Sequence, residues 1–370
     1  MLQQVMRVSW RGVSSMIKWA EPVTGVRTLD QMPGPSAISE GEEWQKVRSL
    51  LAKHMLRPKS VEAYFLCTVR VQDRVFDAVV PMETERFIQS INKMFVMTLL
   101  TMAMPAWLHR LFPGPWRTFC QCWDYMFHFA KGHIDKRLKE EEEKLARGQE
   151  VEGRYLTYFL SRAGMPMKSV YSNVTELLLA GVDTISSTLS WSLYELSHHP
   201  EIQESLRSEV LKVLGDRRIP TAADVANMPL LKAVIKEITR LYPVIPANAR
   251  VITDRNITVG GYLIPKKTLI TLCHYATSRD PAQFSDPDSF LPQRWIRRDE
   301  GNHPYSSLPF GVGKRSCIGR RIAELELYLA LSRILLHFTV KPDPSGCEVR
   351  PMTRTLLVPD REINLQLIER

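Results

Sequence analysis

Between Leu308 and Leu327 the chain reads LPFGVGKRSCIGRRIAELEL. A single cysteine, Cys317, follows two closely spaced glycines and precedes a helical pattern that the spacing starts at Ile318. A thiol binds metal or attacks carbon only as thiolate. Free backbone N–H groups and the dipole at a helix start favour that anion. Lys314, Arg315, Arg320 and Arg321 add positive charge around it. Gly311 and Gly313 permit a tight backbone and close approach to a flat ligand. Gly319 removes a side chain where a macrocycle could lie against the helix, and Arg315 could pair with a carboxylate of that ligand.

Three other chemistries compete for this segment. A phosphate loop fails, because GVGKRS lacks the earlier glycine and puts Arg315 where Ser or Thr should follow the lysine. A nucleophilic cysteine needs a base, and no His or Asn partner is evident from spacing. A structural role is the default for a lone cysteine, and the surrounding glycines and cations argue against it.

Other residues carry weaker signals. Glu237 and Arg240 form E-x-x-R in KEITR, which alone is an ordinary i,i+3 surface pair. LLLAGVDTISS supplies Ala180, Gly181, Asp183 and Thr184 inside a helical run. A mid-helix glycine costs about 1 kcal/mol against alanine, so it needs a reason. The plain one is a small-residue packing notch; a Thr hydroxyl bonding back to a carbonyl could also bend the helix there. Lys232 and Lys236 lie one turn apart, with Glu237 about 100° away around the axis. The lysines can therefore face solvent while Glu237 faces inward.

The elements that must hold these residues are mostly helices. GEEWQKVRSLLAKHM reads as a helix, as do the runs from about Lys168 to Leu196 and LLKAVIKEITRLYP, the last stopped by Pro243. Glu176, Asp183 and Glu195 argue against the long run crossing a membrane. QMPGPS and FPGPW are breaks, and KRLKEEEEKLARGQEVEGR reads as a solvated surface linker. NITVGGYLIP has β-branched residues around Gly-Gly, a hairpin signal. The expected fold class is mainly α with a small β component.

The chain has 370 residues, is 44% apolar and 24% charged, and carries a formal charge of +9. It can bury a sizeable core. The excess positive charge suits nucleic acid, anionic membrane or an acidic partner, and the total does not choose. The six cysteines include no CxxC pair, which disfavours a disulfide framework or zinc site and fits a reducing compartment. The sequons at Asn173 and Asn256 fall in a helical and a strand-like run. MLQQVMRVSWRGVSSMIKWA contains Arg7, Arg11 and Lys18, no acid, and no continuous apolar stretch. That is the composition of a mitochondrial transit peptide; a disordered basic tail is the alternative. Residues 1–30 are therefore expected to be leader, and 31–370 one domain.

FGVGKRSCIG resembles the haem-binding loop of the cytochrome P450 family, F-x-x-G-x-R-x-C-x-G, at every fixed position from Phe310 to Gly319. The resemblance implies that Cys317 is the axial thiolate of a haem b iron. It assigns Glu237, Arg240 and Arg294 to a buried network that organises the haem face. It assigns Ala180 and Gly181 to an oxygen-binding groove, with Asp183 and Thr184 relaying protons. Trp44, Arg48, Arg250 and Arg315 resemble haem-propionate partners. In the mitochondrial branch of the family, the positions of Lys232 and Lys236 bind an acidic ferredoxin of the adrenodoxin type, and Arg320 and Arg321 would extend that patch.

TLCHYATSRDPAQF, TRTLLVPDREINLQL and LLTMAMPAWLHRLFPGPW are most similar to the secosteroid hydroxylases of that branch. The implied activity is ferredoxin-driven 1α-hydroxylation of 25-hydroxyvitamin D, a lipophilic secosteroid, without a nucleic-acid partner. The implied location is the matrix side of the inner mitochondrial membrane, bound peripherally. Substrate contacts would come from Val174–Thr184, Val244–Asn248 and Thr353–Leu357.

The match breaks between Pro35 and ISEGEEWQKVR, and again after LRPKSVEAYF. Early helices, part of the main sheet and a loop roofing the substrate pocket are expected to be missing there. Two rivals stand: a sister hydroxylase of other regiochemistry or with a sterol substrate, and a catalytically silent haem- or ferredoxin-binding form.

Overall fold

The computed structural model describes residues 82–148, 167–215, 220–252, 254–296 and 303–370, together with helical positions 45, 48, 49, 51, 52 and 55. The leader, Trp44, the Gly-Pro break near residue 34 and the segment after Met55 lie outside the described residues. In chain order the helices are α1 (Met82–Ala103), α2 (Ala106–Leu111), α3 (Gly114–Ala146), α4 (Met167–His198), α5 (Pro200–Leu214), α6 (Ala222–Ala226) and α7 (Pro229–Leu241). Strands β1 (Asn248–Val251), β2 (Ile257–Val259), β3 (Tyr262–Ile264) and β4 (Leu269–Leu272) follow, then the short helix α8 (His274–Thr277). After α9 (Arg320–His337) come β5 (Phe338–Pro342), β6 (Pro351–Thr353), β7 (Leu357–Pro359) and β8 (Leu365–Glu369). The chain divides into two compact units, one containing residues 78–182 and 251–270, the other 183–250 and 271–370.

In the first unit α1 packs on α3. Phe87, Ile91 and Met94 meet Cys122 and Met126, and Leu179 and Val182 close over them. Phe87 stacks on Phe129 with centroids 4.5 Å apart. Burial pushes the Cys120 thiol up to about 12, which leaves it an inert core group. Here one expectation fails. The charged run KRLKEEEEKLA is no linker but the end of α3, which continues to Ala146. Arg137 pairs with Glu140 and Glu141, and Arg147 with Glu143. These i,i+3 and i,i+4 pairs sustain a helix without an apolar face. The expected hairpin is present: Val259 pairs with Tyr262, and Gly260 and Gly261 have φ of 57° and 83°. Both are the left-handed values a two-residue turn demands.

The second unit is built on α7. Leu230, Leu231, Val234, Ile235, Ile238 and Leu241 meet Leu206, Val210 and Leu214 of α5 and Leu327, Leu331 and Leu335 of α9. The N–H groups of Leu230 and Leu231, orphaned at the helix start, are taken by the Glu209 carboxylate at 2.8 and 2.9 Å. Buried Gln203 ties elements together: its amide donates to Leu196 O and Val340 O and accepts from Val340 N. Strand β5 pairs antiparallel with β8, and β6 with β7. Among the described residues no helix is long and apolar enough to cross a membrane.

Candidate functional site

Because α7 is buried on nearly every side, its charged residues are sorted by register. Glu237 and Arg240 are both fully buried. Arg240 grips the carboxylate with two parallel bonds, Nε to Oε2 at 2.9 Å and Nη2 to Oε1 at 2.7 Å. Its remaining donors reach Ser278 O at 3.0 Å and Ser289 O at 3.1 Å. Arg294, on a short 3₁₀ turn at Pro292–Trp295, adds a bond to Glu237 Oε1 at 3.1 Å and donates to Ser285 O. The E-x-x-R pair is thus no surface pair, and Arg294 completes it across 57 positions of sequence.

Sequence reasoning missed two further members. Trp295 Nε1 donates to Glu237 Oε2 at 2.7 Å, and Leu291 N to Oε1 at 3.0 Å. Five bonds therefore converge on one carboxylate. The cue was the tryptophan directly after Arg294, whose indole could reach where its neighbour's guanidinium does.

Lys236 is exposed, as its register requires, and its ammonium lies 5.7 Å from the Trp295 ring centroid. Lys232 is half-buried, and its Nζ donates to Ala226 O at 3.0 Å. The two lysines do not present equivalent free cations. Lys236, Trp295, Phe310 and Arg320 line one cavity of about 130 Å³ beside the cysteine loop. Arg320 is exposed, pairs with Glu324 at 2.8 Å and covers the Phe310 ring at 5.3 Å. Arg321 is also exposed.

The cysteine loop is folded on itself. Cys317 N donates to Phe310 O at 2.7 Å, and Ser316 N to Gly313 O at 3.0 Å. Gly311 and Gly313 have φ of 67° and 76°, where any side chain is strained. Cys317 and Arg315 are exposed. Helix α9 starts at Arg320, two residues later than the spacing suggested, with Gly319 as N-cap. Gly319 has φ −84°, so its backbone does not require glycine. A Cβ there would meet nothing within 4 Å, and the same holds at Gly313. Beside each of these two glycines no described protein atom fills the space within 4 Å. An exposed cysteine, open space beside two glycines and an exposed arginine fit a flat anionic macrocycle with a thiolate-bound metal.

Behind the loop, Asn248 Nδ2 bonds His274 Nε2 at 2.8 Å and stands 3.8 Å from where a Gly311 Cβ would be. This contact was not foreseen. Burial, and secondarily Arg250, holds the His274 imidazole below its usual range. Arg250 is exposed on β1. Arg48 is half-buried on a helical position, and its expected partner Trp44 lies outside the described residues.

On α4, a Cβ at Gly181 would meet nothing within 4 Å, and Ala180 is exposed. Among the described residues the notch is therefore not a packing contact. Burial pushes the Asp183 carboxyl up to about 6. Thr188 Oγ1 bonds back to Thr184 O at 2.8 Å. Further along, Ser187 Oγ donates to Leu357 O at 3.3 Å, and Leu357 N to Val244 O at 2.8 Å. Two of the segments expected to touch substrate, around Val244 and Leu357, are thus joined directly and to α4. Asn173 is buried within α4 and Asn256 Oδ1 accepts from Lys266 N, so neither sequon asparagine projects freely.

Residues 65–367 match the family described as Cytochrome P450. The human protein described as 25-hydroxyvitamin D-1 alpha hydroxylase, mitochondrial, is 49% identical over 400 aligned positions, covering 94% of this chain and 78% of that one. The Rattus norvegicus protein of the same description is 49% identical over 381, covering 90% and 76%. The Oryctolagus cuniculus protein described as Sterol 26-hydroxylase, mitochondrial, is 41% identical over 351, covering 92% and 64%. The 400 positions of the human alignment hold 94% of a 370-residue chain, so about fifty of them have no counterpart residue here. A family match over most of the chain, with a cysteine loop and a buried Glu–Arg–Arg network of matching pattern, makes this chain a member of the cytochrome P450 family.

Proposed function

We propose that this chain is a mitochondrial haem-thiolate monooxygenase that hydroxylates 25-hydroxyvitamin D at the 1α position with electrons from an adrenodoxin-type ferredoxin. The observation that carries the reading is the cysteine loop: an exposed Cys317 on a loop where a Cβ at Gly313 or at Gly319 would meet nothing within 4 Å. Cys317 Sγ would hold the iron of haem b. Arg315 and Arg250, with Arg48 and Trp44, would hold the propionates. When bound, haem supplies dioxygen activation and insertion of one oxygen atom into an unactivated C–H bond.

The protein's own residues orient and gate that chemistry. The Glu237 network fixes the 3₁₀ turn and the segment following α8, and so the support of the loop. By the family resemblance Ala180 and Gly181 would form the groove for the diatomic ligand, and a Cβ at Gly181 would meet nothing within 4 Å. Asp183, with a carboxyl near 6, can hold or release a proton close to neutral pH, and Thr184 would pass it on. Lys236, Arg320 and Arg321 form the acidic partner's docking face, with Lys232 contributing from its half-buried position. Residues 1–30 would direct import, and 31–370 would form the catalytic domain on the matrix side of the inner membrane. Exposed Trp107, Leu111 and Phe112 around α2 support peripheral contact with that membrane.

Carbon monoxide binding to the reduced protein tests the reading. A red-shifted Soret band is expected, and its retention in Cys317→Ser would refute thiolate ligation. Product analysis separates 1α-hydroxylation from a sister regiochemistry. The about fifty positions without counterpart favour one second reading, a haem- or ferredoxin-binding form without turnover.

A further inference from the structure

Beyond the loop and α7, the second unit holds a connected set of oxidisable rings that the hydroxylation above does not use. Trp191, on α4, is fully buried. It lies seven residues past Thr184, two turns along the same helix face, a rise of about 10.5 Å. Tyr242 stacks on it almost parallel, with centroids 4.0 Å apart and planes 4° apart. Tyr194 meets it edge-on at 5.6 Å. Tyr194 in turn lies 4.5 Å from the His198 ring, and both line a surface cleft of about 660 Å³ that also contains Cys347 and Arg361. The rings thus run without a break from the helix carrying Thr184 to solvent.

Their hydrogen bonds differ in a way that matters for oxidation. The Tyr242 hydroxyl donates to Glu195 Oε1. A phenol gives up its proton on losing an electron, so a carboxylate already bonded to it provides the base. The indole N–H of Trp191 is buried and finds no acceptor among the described residues. An oxidised Trp191 would keep its proton and pass the hole on, whereas an oxidised Tyr242 could settle as a neutral radical.

We propose that Trp191, Tyr242 and Tyr194 form a relay that drains oxidising equivalents from the haem when no substrate C–H bond consumes them. This rests on the haem reading above. In each transit one electron moves from Trp191 to the oxidised haem. Tyr242 refills Trp191 and passes its proton to Glu195, leaving a tyrosyl radical beside a carboxylic acid. A small-molecule thiol in the cleft at Tyr194 and His198 then supplies an electron through Tyr194 and Trp191, and the Glu195 proton returns to Tyr242. Two transits would lower the haem by two oxidation levels and convert two thiols to one disulfide; the two protons released at the cleft balance two taken from solvent as the unused oxygen atom leaves as water.

The test uses haem-loaded, substrate-free protein mixed with a peracid, freeze-quenched and read by electron paramagnetic resonance, with haem bleaching followed in parallel. The parent should give a tyrosyl signal. Trp191→Phe keeps a ring of similar shape but is far harder to oxidise; it should lose most of that signal and bleach several-fold faster. Tyr242→Phe should remove the Tyr242 part of the signal while leaving the stacking in place, and added thiol should slow bleaching in the parent more than in Trp191→Phe, which breaks the path to Tyr194. An unchanged signal and unchanged bleaching in both variants, with the carbon monoxide band intact, would overturn the relay and leave the thiolate assignment standing. Failure of the chain to take up haem would overturn both.

Discussion

Replacing Trp295 by Phe isolates one bond in a crowded buried site. Glu237 is fully buried and accepts five bonds, of which the indole contributes one at 2.7 Å. A hydrogen bond to a charged group is worth about 1.5–3 kcal/mol, and the carboxylate keeps its other four bonds. Phenylalanine preserves most of the ring, so the loss of packing is small. The contact with exposed Lys236 adds about 0.5–1 kcal/mol at most. The expected destabilisation is therefore about 2 kcal/mol, or about thirtyfold in the folding equilibrium. By contrast Glu237→Ala leaves Arg240 and Arg294 buried without their anion, which costs about 3–5 kcal/mol for a broken buried pair. Urea titration of haem-loaded protein, with an unchanged denaturant slope, reads both. A shift below about 0.5 kcal/mol for Trp295→Phe, within the range of neutral surface changes, would show that the indole bond does not support Glu237.

Three further outcomes follow from charge and burial. Asp183 has a folded-state carboxyl raised to about 6 by burial, so its ionisation opposes folding as pH rises from about 4 through 6. Asp183→Asn should raise the melting temperature at pH 7.5, with the gain vanishing below about pH 4, where the carboxyl is protonated folded or unfolded; a gain that persists in acid would refute the burial account. The variant should also slow hydroxylation. Reversing Lys236 to Glu should weaken ferredoxin binding more at low than at high salt, because exposed charges are screened within about 10 Å at 0.1 M. Lys232→Glu should do less, its ammonium already bonding Ala226 O; equal affinity in parent and double variant by surface plasmon resonance would exclude the face. Residues 1–27 fused to a fluorescent protein should be imported into mitochondria, and a diffuse or reticular signal would defeat the leader reading.

What was legible in the sequence follows from locality. The cysteine loop is a contiguous motif, and the hairpin's Gly-Gly demands the left-handed backbone found there. The helix over α4 was readable from period alone. The charged end of α3 was not, because its support comes from ion pairs along one turn rather than from an apolar face. Trp295 stayed hidden for a different reason. Its partner lies 58 positions away, and an indole that satisfies a buried carboxylate looks in sequence like any core tryptophan. Lys232 and Lys236 looked alike by spacing, yet a carbonyl six residues back separates them. The open notch at Gly181 likewise needed coordinates, since a glycine that makes room for another helix reads the same as one that faces space.

The about fifty positions without counterpart bear on substrate more than on iron. Cys317, Glu237, Arg240, Arg294, Asp183 and Thr184 are all present, and the three network residues meet in one buried site. C–H oxidation asks for more than an iron ligand. The substrate carbon must be held beside the activated oxygen, where a misplacement of about 1 Å can cost about 100-fold, and water must be kept out. In the family both come from the loop and sheet expected between Pro35 and the W-x-x-x-R segment that starts at Trp44. The hairpin β2–β3 exposes Val259, Tyr262 and Leu263, and uncovered apolar edges invite aggregation. This chain should therefore bind haem and show the thiolate band, yet hydroxylate poorly and release its electrons as peroxide. The comparison is with a version carrying the missing segment, using purified ferredoxin, its reductase and 25-hydroxyvitamin D. Equal rates of 1α-hydroxylation with equal peroxide yield would mean that the residues present already close the pocket, and that the absent positions serve neither positioning nor exclusion of water.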